Sequence, residues 1–424
     1  MTQAHLDKLK ARLSSHLVEF LNSKAAELTV TPSFQEHVRS LVDRLATRLV
    51  KREWQGLAPQ QRQQVVEDVL DEVVGFGPLG MFLRDRTVSE IMVNGFSEIF
   101  IERAGKLARV VHGFRDQSHL LSIIEKLLAS VGRHVTQAEP YADVRLADGS
   151  RITIAIPPIA VGGPYITIRK FLHQLWTLDD LVQAGSLSPQ AGRFLALAVE
   201  GRLNFVMSGA ASSGKTTLLN ALLSSVTAAE RLIIIEDTVE LQVRHPNAVR
   251  LATRPANLEG RGEITIRQLL KNALHMRPDR IIVGEVRGEE TLDMLQAMNT
   301  GHEGSMTTLH ANSPVDVFER IATMALMSQF ELSYQAVRRQ TQSAVDLIIH
   351  MERSASGARN VISIQEITSK TDEEPHLTEL FTRVSPPQPG VGSSRLCATG
   401  VIPQCVQKLT RRGLLVPNDL FTKS

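Results

Sequence analysis

The chain has 424 residues, of which 43% are hydrophobic and 22% are charged. This is an ordinary globular composition, it argues against a disordered chain, and the length predicts two or three domains. The 47 basic and 45 acidic residues leave a net charge of +2, and only 4% of residues are aromatic. Both values argue against a protein that coats nucleic acid or stacks single-stranded bases, so no stable nucleic-acid partner is expected.

The cysteine content and the hydropathy pattern indicate the compartment. Cys397 and Cys405 are the only cysteines, which argues against a disulfide framework and a four-thiolate zinc site and indicates a reducing compartment. No apolar run approaches the roughly 18 residues of a membrane span, and Asp7 and Glu19 interrupt the apolar spacing at the N-terminus. We therefore predict a cytoplasmic protein without direct membrane insertion.

Residues 1–74 are predicted to form a small bundle of three helices. Apolar residues recur there at helical spacing, and Thr31–Pro32 and Ala58–Pro59 interrupt the pattern. The polar faces mix acidic and basic residues. This mixture favours helix–helix packing, and the alternative, binding to a membrane surface, is typical of consistently basic faces.

A second domain is predicted over residues 75–172, where the apolar period changes from 3.6 to 2. Ile152, Ile154 and Ile156 alternate with polar residues, and Asp148–Gly149 predicts a tight hairpin. One helix, at about residues 117–131, interrupts the strands. The pattern indicates an α+β domain.

The remaining chain is predicted to hold a linker, an α/β domain and a tail. Residues 173–188 are polar and resemble a linker. In residues 189–384 apolar strands alternate with helices, which is typical of a parallel sheet covered on both faces. Residues 385–404 are rich in Pro, Gly and Ser and predict a mobile connection within a C-terminal tail, residues 385–424, to which no role is assigned.

The strongest motif follows the apolar strand Leu203–Met207 and precedes a predicted helix. It matches the phosphate-binding pattern G-x-x-x-x-G-K-[ST] at every fixed position. Glycines let backbone N–H groups surround a phosphate, Lys215 can reach the β- and γ-phosphates, and Thr216 can bind Mg²⁺. The predicted nucleotide-binding residues are Gly209, Ala210, Ala211, Ser212, Ser213, Gly214, Lys215, Thr216 and Thr217.

Carboxylates follow two further apolar strands, where ligands gather in open α/β sheets. Glu285 follows Ile281–Val283, and we assign it to the attacking water, directly or through the metal sphere. Glu236, Asp237 and Glu240 follow the strand 233–235. Clustered acids beside a polyphosphate require Mg²⁺ between them, so these residues are predicted to hold the metal and to position or deprotonate water.

His302 and His310 are also predicted to act at the site. Their separation of eight residues does not match usual metal-ligand spacing. A sensor of the γ-phosphate or a link between subunits suits them better, and the alternative for each is a structural histidine.

Together, these four elements resemble the traffic ATPases of type II and type IV secretion, type IV pili and archaella. The segments that look most like the CpaF branch of Tad (Flp) pili are Gly75–Leu79, Ser89–Asn94, Asp148–Arg151 and Ile168–Phe171. The resemblance covers about residues 35–370. The four-cysteine zinc module of some type II members is absent from the sequence.

This resemblance implies a RecA-like ATPase domain preceded by a PAS-like N-terminal domain. It further implies a cytoplasmic homohexamer that docks on inner-membrane platform proteins. N-terminal arginines complete the ATP site in this family. The candidates here are Arg133, Arg145, Arg151 and Arg169, and Arg145 and Arg151 are preferred because they flank the predicted hairpin. Arg277 and Arg287 flank the strand before Glu285 and are further candidates for contact with a phosphate or a neighbouring subunit, and the alternative for each arginine is a surface ion pair.

We therefore expect a Mg-ATP-hydrolysing motor that assembles a Tad-type pilus, and whether it also retracts the pilus stays open. A conjugation or secretion motor with the same chemistry is the nearest alternative. A RecA-like nucleic-acid translocase and a scaffold that binds ATP without hydrolysis are the alternatives from other classes.

Overall fold

The structure is a computed structural model, and it describes residues 58–73, 75–111, 113–146, 148–171, 176–254, 256, 261–328, 332–354, 356–368, 376–384 and 394–423. The first two predicted N-terminal helices fall in residues 1–57 and lie outside this description. The chain divides into two compact units, Met1–Leu172 and His173–Ser424. No helix in the described ranges has the length and apolar character of a membrane span.

The first unit is built on a six-stranded antiparallel sheet with the strand order β3-β2-β1-β6-β5-β4. Its strands are β1 Val88–Asn94, β2 Ile99–Arg103, β3 Lys106–Val110, β4 Tyr141–Arg145, β5 Arg151–Ala155 and β6 Tyr165–Arg169. Its helices are α1 Pro59–Val73, a 3₁₀ turn Gly77–Leu79, α2 Gly80–Arg84 and α3 Gln117–Ala129.

Alternating isoleucines give this sheet one buried face, as the period of 2 predicts. Ile152 and Ile154 in β5 are fully buried in one cluster with Ile123 of α3. The Asp116 side chain accepts the N–H of His119 and caps the first turn of α3. The predicted hairpin is present, because Gly149 adopts φ +87° between the paired strands β4 and β5.

The second unit is built on a nine-stranded sheet with the order β15-β14-β13-β12-β7-β11-β10-β8-β9. The six strands from β12 to β9 are parallel, and β13 to β15 continue antiparallel. The strands are β7 Phe205–Gly209, β8 Leu232–Glu236, β9 Ala248–Ala252, β10 Arg280–Val283, β11 Met306–Leu309, β12 Leu347–Arg353, β13 Arg359–Ile367, β14 Leu377–Val384 and β15 Arg395–Ala398.

Helices cover both faces of this sheet. They are α4 Leu178–Gln183, α5 Pro189–Glu200, α6 Lys215–Leu223, α7 Ile266–Ala273, α8 Glu290–Asn299, α9 Asp316–Leu326, α10 Tyr334–Ala344, α11 Val406–Arg411 and a 3₁₀ turn Asn418–Phe421. Ile234 packs in the same cluster as Leu218 of α6, whereas its neighbour Ile233 packs in the cluster of Leu295 of α8. These strands are buried on both faces, and this burial explains why their sequences are continuously apolar.

Of the expected linker, residues 173–188, the described part 176–188 contributes to the core of the second unit. Thr177 forms a capping box with Asp180 at the start of α4, and Leu178, Leu181 and Leu187 are buried. The polar residues of this stretch therefore cap a short amphipathic helix or lie on its outer face.

The expected C-terminal tail likewise differs from the structure in its described part, residues 394–423. Strand β15 pairs with β14, and Phe421 packs against Phe194 with ring centroids 5.3 Å apart. Leu396, Leu409 and Leu420 are also buried in the core of the unit, whereas Val401, Ile402 and Leu415 are exposed. The buried residues hold the described part of this segment in the core of the unit. Residues 385–393 of the expected mobile connection lie outside the described residues.

Candidate functional site

The glycine-rich loop joins β7 to α6 at the carboxyl edge of the parallel strands. Gly209 adopts φ +146°, and a Cβ atom at this position would lie 2.2 Å from the carbonyl oxygen of Met351, so only glycine fits. Gly214 and Ser212 also have positive φ, +102° and +58°. A loop of this curvature before a helix N-terminus is an anion-binding arrangement.

Lys215 is the first residue of α6 and its side chain folds over the loop. Its Nζ donates to the carbonyl oxygens of Gly209 at 3.0 Å and Ala210 at 2.8 Å. Burial lowers the pKa of the Lys215 ammonium, and the nearby Glu285 carboxylate opposes this shift. The lysine is therefore held at the loop, with a cationic group that a phosphate oxygen can engage.

Glu285, two residues beyond β10, lies between two nitrogen groups. Its Oε1 is 2.8 Å from Nε2 of His310, and its Oε2 accepts from the Arg287 guanidinium. Burial lowers the pKa of the His310 imidazole, and Glu285 opposes this shift. Nδ1 of His310 is 3.4 Å from Nζ of Lys215. A neutral ring that donates from Nε2 and accepts at Nδ1 satisfies both contacts.

Glu236, the last residue of β8, holds the loop that follows it. Its side chain is almost fully buried, and Oε1 accepts the N–H groups of Glu240 and Leu241, both at 2.7 Å. Burial raises the pKa of the Glu236 carboxyl, although these two N–H groups oppose the shift. Oε2 lies 3.4 Å from Nη2 of Arg250. Glu236 therefore holds this loop through its hydrogen bonds, whereas the sequence predicts that it binds the metal.

The carboxylate that meets the phosphate loop is Glu240. The Thr216 hydroxyl donates to Oε2 of Glu240 at 3.4 Å. Asp237 accepts from the Thr253 hydroxyl at 2.7 Å, and its Oδ2 is 3.6 Å from Nη1 of Arg287. Arg287 therefore contacts the carboxylates of both Asp237 and Glu285.

The fit of these residues to Mg²⁺ can be judged from their oxygen atoms. Within the described residues, no three His, Cys, Asp or Glu side chains converge as a metal cluster. Magnesium beside a nucleotide typically takes one or two protein oxygens together with phosphates and waters. The Thr216 hydroxyl and the Glu240 carboxylate supply that number at the start of α6, so the residues fit the ion.

His302 is not brought to this site in the chain. It precedes β11 and His310 follows it, so the strand Met306–Leu309 separates the two histidines. The loop of His302 lies at the amino edge of the sheet, where the Ser305 hydroxyl donates to the His302 carbonyl. His302 therefore does not lie beside the phosphate loop of its own chain, and its expected role as a link between subunits stays a prediction.

Arg145 and Arg151 belong to the first unit, whereas the phosphate loop belongs to the second. The two arginines are cross-strand partners at the end of β4 and the start of β5. Arg151 donates from Nε to Oδ1 of Asp143 at 2.8 Å. Their expected action on phosphates stays a prediction.

Residues far along the chain complete the surroundings of the loop. Arg359, the first residue of β13, donates from Nε to the carbonyl oxygen of Ser212 at 3.0 Å. No local motif in the sequence marks it, since the contact spans 147 positions. On the other flank a cleft of about 350 Å³ opens beside the loop; it is lined by Ala210, His310, Ala311, Asn312, Asp316, Glu319 and Arg320.

Comparison with known sequences gives consistent similarities. Residues 72–384 match the family model described as type II/IV secretion system protein. A putative conjugal transfer protein of Mycobacterium tuberculosis is 36% identical over 299 residues, which are 69% of this chain and 84% of that protein. Conjugal transfer protein TrbB of Rhizobium radiobacter is 34% identical over 309 residues, 70% of this chain and 90% of that protein.

Two further similarities are to a VirB11 protein and to a solved structure. The type IV secretion system protein VirB11 of Brucella abortus is 35% identical over 301 residues, 65% of this chain and 83% of that protein. The X-ray structure of the Yersinia pseudotuberculosis ATPase DotB aligns with a TM-score of 0.51 at 17% identity and covers 68% of this chain and 77% of that chain. This last likeness is one of fold, and it agrees with the predicted α/β class.

Proposed function

Because the chain belongs to the type II/IV secretion system protein family, we propose that it is a motor that hydrolyses Mg-ATP and drives a type IV secretion or conjugation machine. The observation that carries the proposal is the chain of contacts from Lys215 through His310 to Glu285, beside the phosphate loop. It combines a cation for the phosphates with a carboxylate that can activate water.

Each of these residues has its own role in the proposed reaction. Backbone N–H groups of residues 209–215 and the Lys215 ammonium bind the phosphates. Glu285 accepts a proton from the attacking water, and His310 orients the carboxylate through its Nε2–H. Thr216 and Glu240 would hold Mg²⁺, which when bound neutralises phosphate charge. Arg287 pairs with Glu285 and holds the carboxylate in place.

The proposal also concerns the kind of machine that this motor drives. The relatives named for conjugal transfer and for type IV secretion support that kind of machine. The resemblance of Gly75–Leu79 and Ile168–Phe171 to the CpaF branch supports the second candidate, assembly or retraction of a Tad-type pilus. In either case we propose a cytoplasmic homohexamer that reaches the membrane through platform proteins.

Phosphate release by the purified, assembled protein tests the chemistry. We expect Lys215→Ala to lose nucleotide binding and Glu285→Gln to bind ATP but hydrolyse it at least about 100-fold more slowly. Lys271→Ala and Glu200→Gln change exposed helix residues and serve as matched controls. Wild-type protein that binds no ATP in the presence of magnesium would refute the motor.

The rival classes and the cargo need two further measurements. Strong stimulation of hydrolysis by DNA or RNA would favour a nucleic-acid translocase, and ATP binding without phosphate release would favour a scaffold. In cells that carry a deletion of the gene, we expect the wild-type protein to restore conjugal transfer or effector export. We expect Glu285→Gln to restore neither. Restoration of surface pilin alone would identify the pilus instead.

A further inference from the structure

The strand order orients a bound nucleotide along the sheet. Strand β7, which leads into the phosphate loop, lies between β11 and β12. His310 follows β11 and Glu285 follows β10, so the groups assigned to hydrolysis lie on the β11 side of the loop. If the proposed function holds, the γ-phosphate lies on that side. The nucleoside, at the other end of the phosphate chain, then lies on the β12 side.

The β12 side is occupied by the hairpin of β12 and β13, which packs directly on the loop. Arg359 donates to the carbonyl oxygen of Ser212 at 3.0 Å. A Cβ atom at Gly214 would lie 3.2 Å from Cε of Met351 and 3.3 Å from Cβ of Arg359. The hairpin therefore forms the wall of the loop opposite the catalytic groups.

The chemistry of this wall suits a nucleoside. Arg359 is exposed and is the cross-strand partner of Arg353, so two guanidinium groups lie on one face of the hairpin. An arginine plane stacks on an aromatic base, and its N–H groups can donate to ribose and phosphate oxygens. The thioether of Met351 adds a polarisable apolar surface beside Gly214.

We propose that the β12–β13 hairpin is the nucleoside-binding wall of the site, and that Arg359 contacts the base or ribose of a nucleoside triphosphate. This inference rests on the proposed function and extends it to residues outside every sequence motif described above. It predicts that Arg359 contributes to nucleotide binding but not to binding of the bare phosphate chain.

Calorimetric titration of the full-length assembled protein separates these contributions. The probes are Mg²⁺ with a non-hydrolysable ATP analogue and Mg²⁺ with inorganic tripolyphosphate, which shares the phosphates and lacks the nucleoside. We expect Arg359→Ala to weaken the analogue about tenfold and tripolyphosphate less than about twofold. In hydrolysis, KM for ATP rises about tenfold with kcat nearly unchanged, since the contact is uniform in ground and transition states.

The controls keep a failure of this inference distinct from a failure of the proposed function. Arg395→Ala changes an exposed arginine on the edge strand β15 and is expected to bind both probes as wild type does. Wild-type affinity of Arg359→Ala for the analogue would overturn the inference. Equal weakening of both probes would also overturn it, because Arg359 would then support the loop itself. Wild-type protein that binds neither probe would refute the motor.

Discussion

Substitution of Glu236 distinguishes a carboxylate that holds a loop from one that takes part in hydrolysis. Its Oε1 accepts the N–H groups of Glu240 and Leu241, both at 2.7 Å. Glu236→Ala removes this acceptor and leaves two donors without a partner, at about 1–3 kcal/mol each. We expect the free energy of unfolding to fall by about 2–4 kcal/mol, because some relaxation restores contact with water. In Glu236→Gln the amide oxygen can accept the same N–H groups, so we expect a change within about 1 kcal/mol.

The pH dependence of stability gives a second test of the same residue. Burial raises the pKa of the Glu236 carboxyl in the folded state, so the folded chain binds this proton more tightly than the unfolded chain. The contribution of Glu236 to stability is therefore fully present below the ordinary pKa and is lost as the pH rises through the folded pKa. Wild type should gain stability relative to Glu236→Gln as the pH is lowered from neutral towards 4.5, the ordinary value.

Urea unfolding followed by circular dichroism, together with phosphate release, completes the experiment. We expect Glu236→Gln to retain hydrolysis within about threefold and Glu285→Gln, the matched carboxylate exchange, to lose about 100-fold or more. The reasoning is wrong if Glu236→Gln unfolds like wild type but loses hydrolysis to the level of Glu285→Gln. That result would support the metal-binding role expected from the sequence.

Three further substitutions test the loop and the core of the second unit. Gly209→Ala introduces a Cβ atom 2.2 Å from the Met351 carbonyl oxygen, and calorimetry should find nucleotide binding lost; wild-type affinity would contradict the loop geometry. Phe421→Ala removes a buried ring and should lower the free energy of unfolding by about 3–5 kcal/mol, whereas a loss below about 1 kcal/mol would make the C-terminal segment peripheral. Glu230→Ala leaves the fully buried Arg280 guanidinium without its bidentate partner and should cost about 3–5 kcal/mol; urea unfolding should show recovery in a Glu230→Ala, Arg280→Met double variant.

The sequence predicted the elements whose signals are local. The phosphate loop is a continuous motif between an apolar strand and a helix, and the structure has β7, the loop and α6 in that order. The strands that end near Glu236 and Glu285 are short apolar runs, which is typical of strands buried on both faces. The hairpin at Gly149 follows from turn chemistry alone.

The contacts that the sequence could not predict join residues distant along the chain. Arg359 meets the phosphate loop from 147 positions away, and Phe421 completes a core around Phe194. A role for Glu236 in metal binding followed from grouping neighbouring acids. Which acid turns inward depends on the backbone N–H groups that need an acceptor, and a motif does not encode this choice.

The two histidines show why position relative to a strand matters more than separation along the sequence. Parallel strands gather the groups that follow them at one edge and the groups that precede them at the other. At the carboxyl edge His310 contacts Glu285. At the amino edge Asn204 accepts the N–H groups of Gly304 and Ser305, so its polar groups satisfy buried backbone. Strand β11 therefore has the groups proposed for hydrolysis at one end and structural hydrogen bonds at the other. Substitutions at Asn204 should alter unfolding rather than the chemical step.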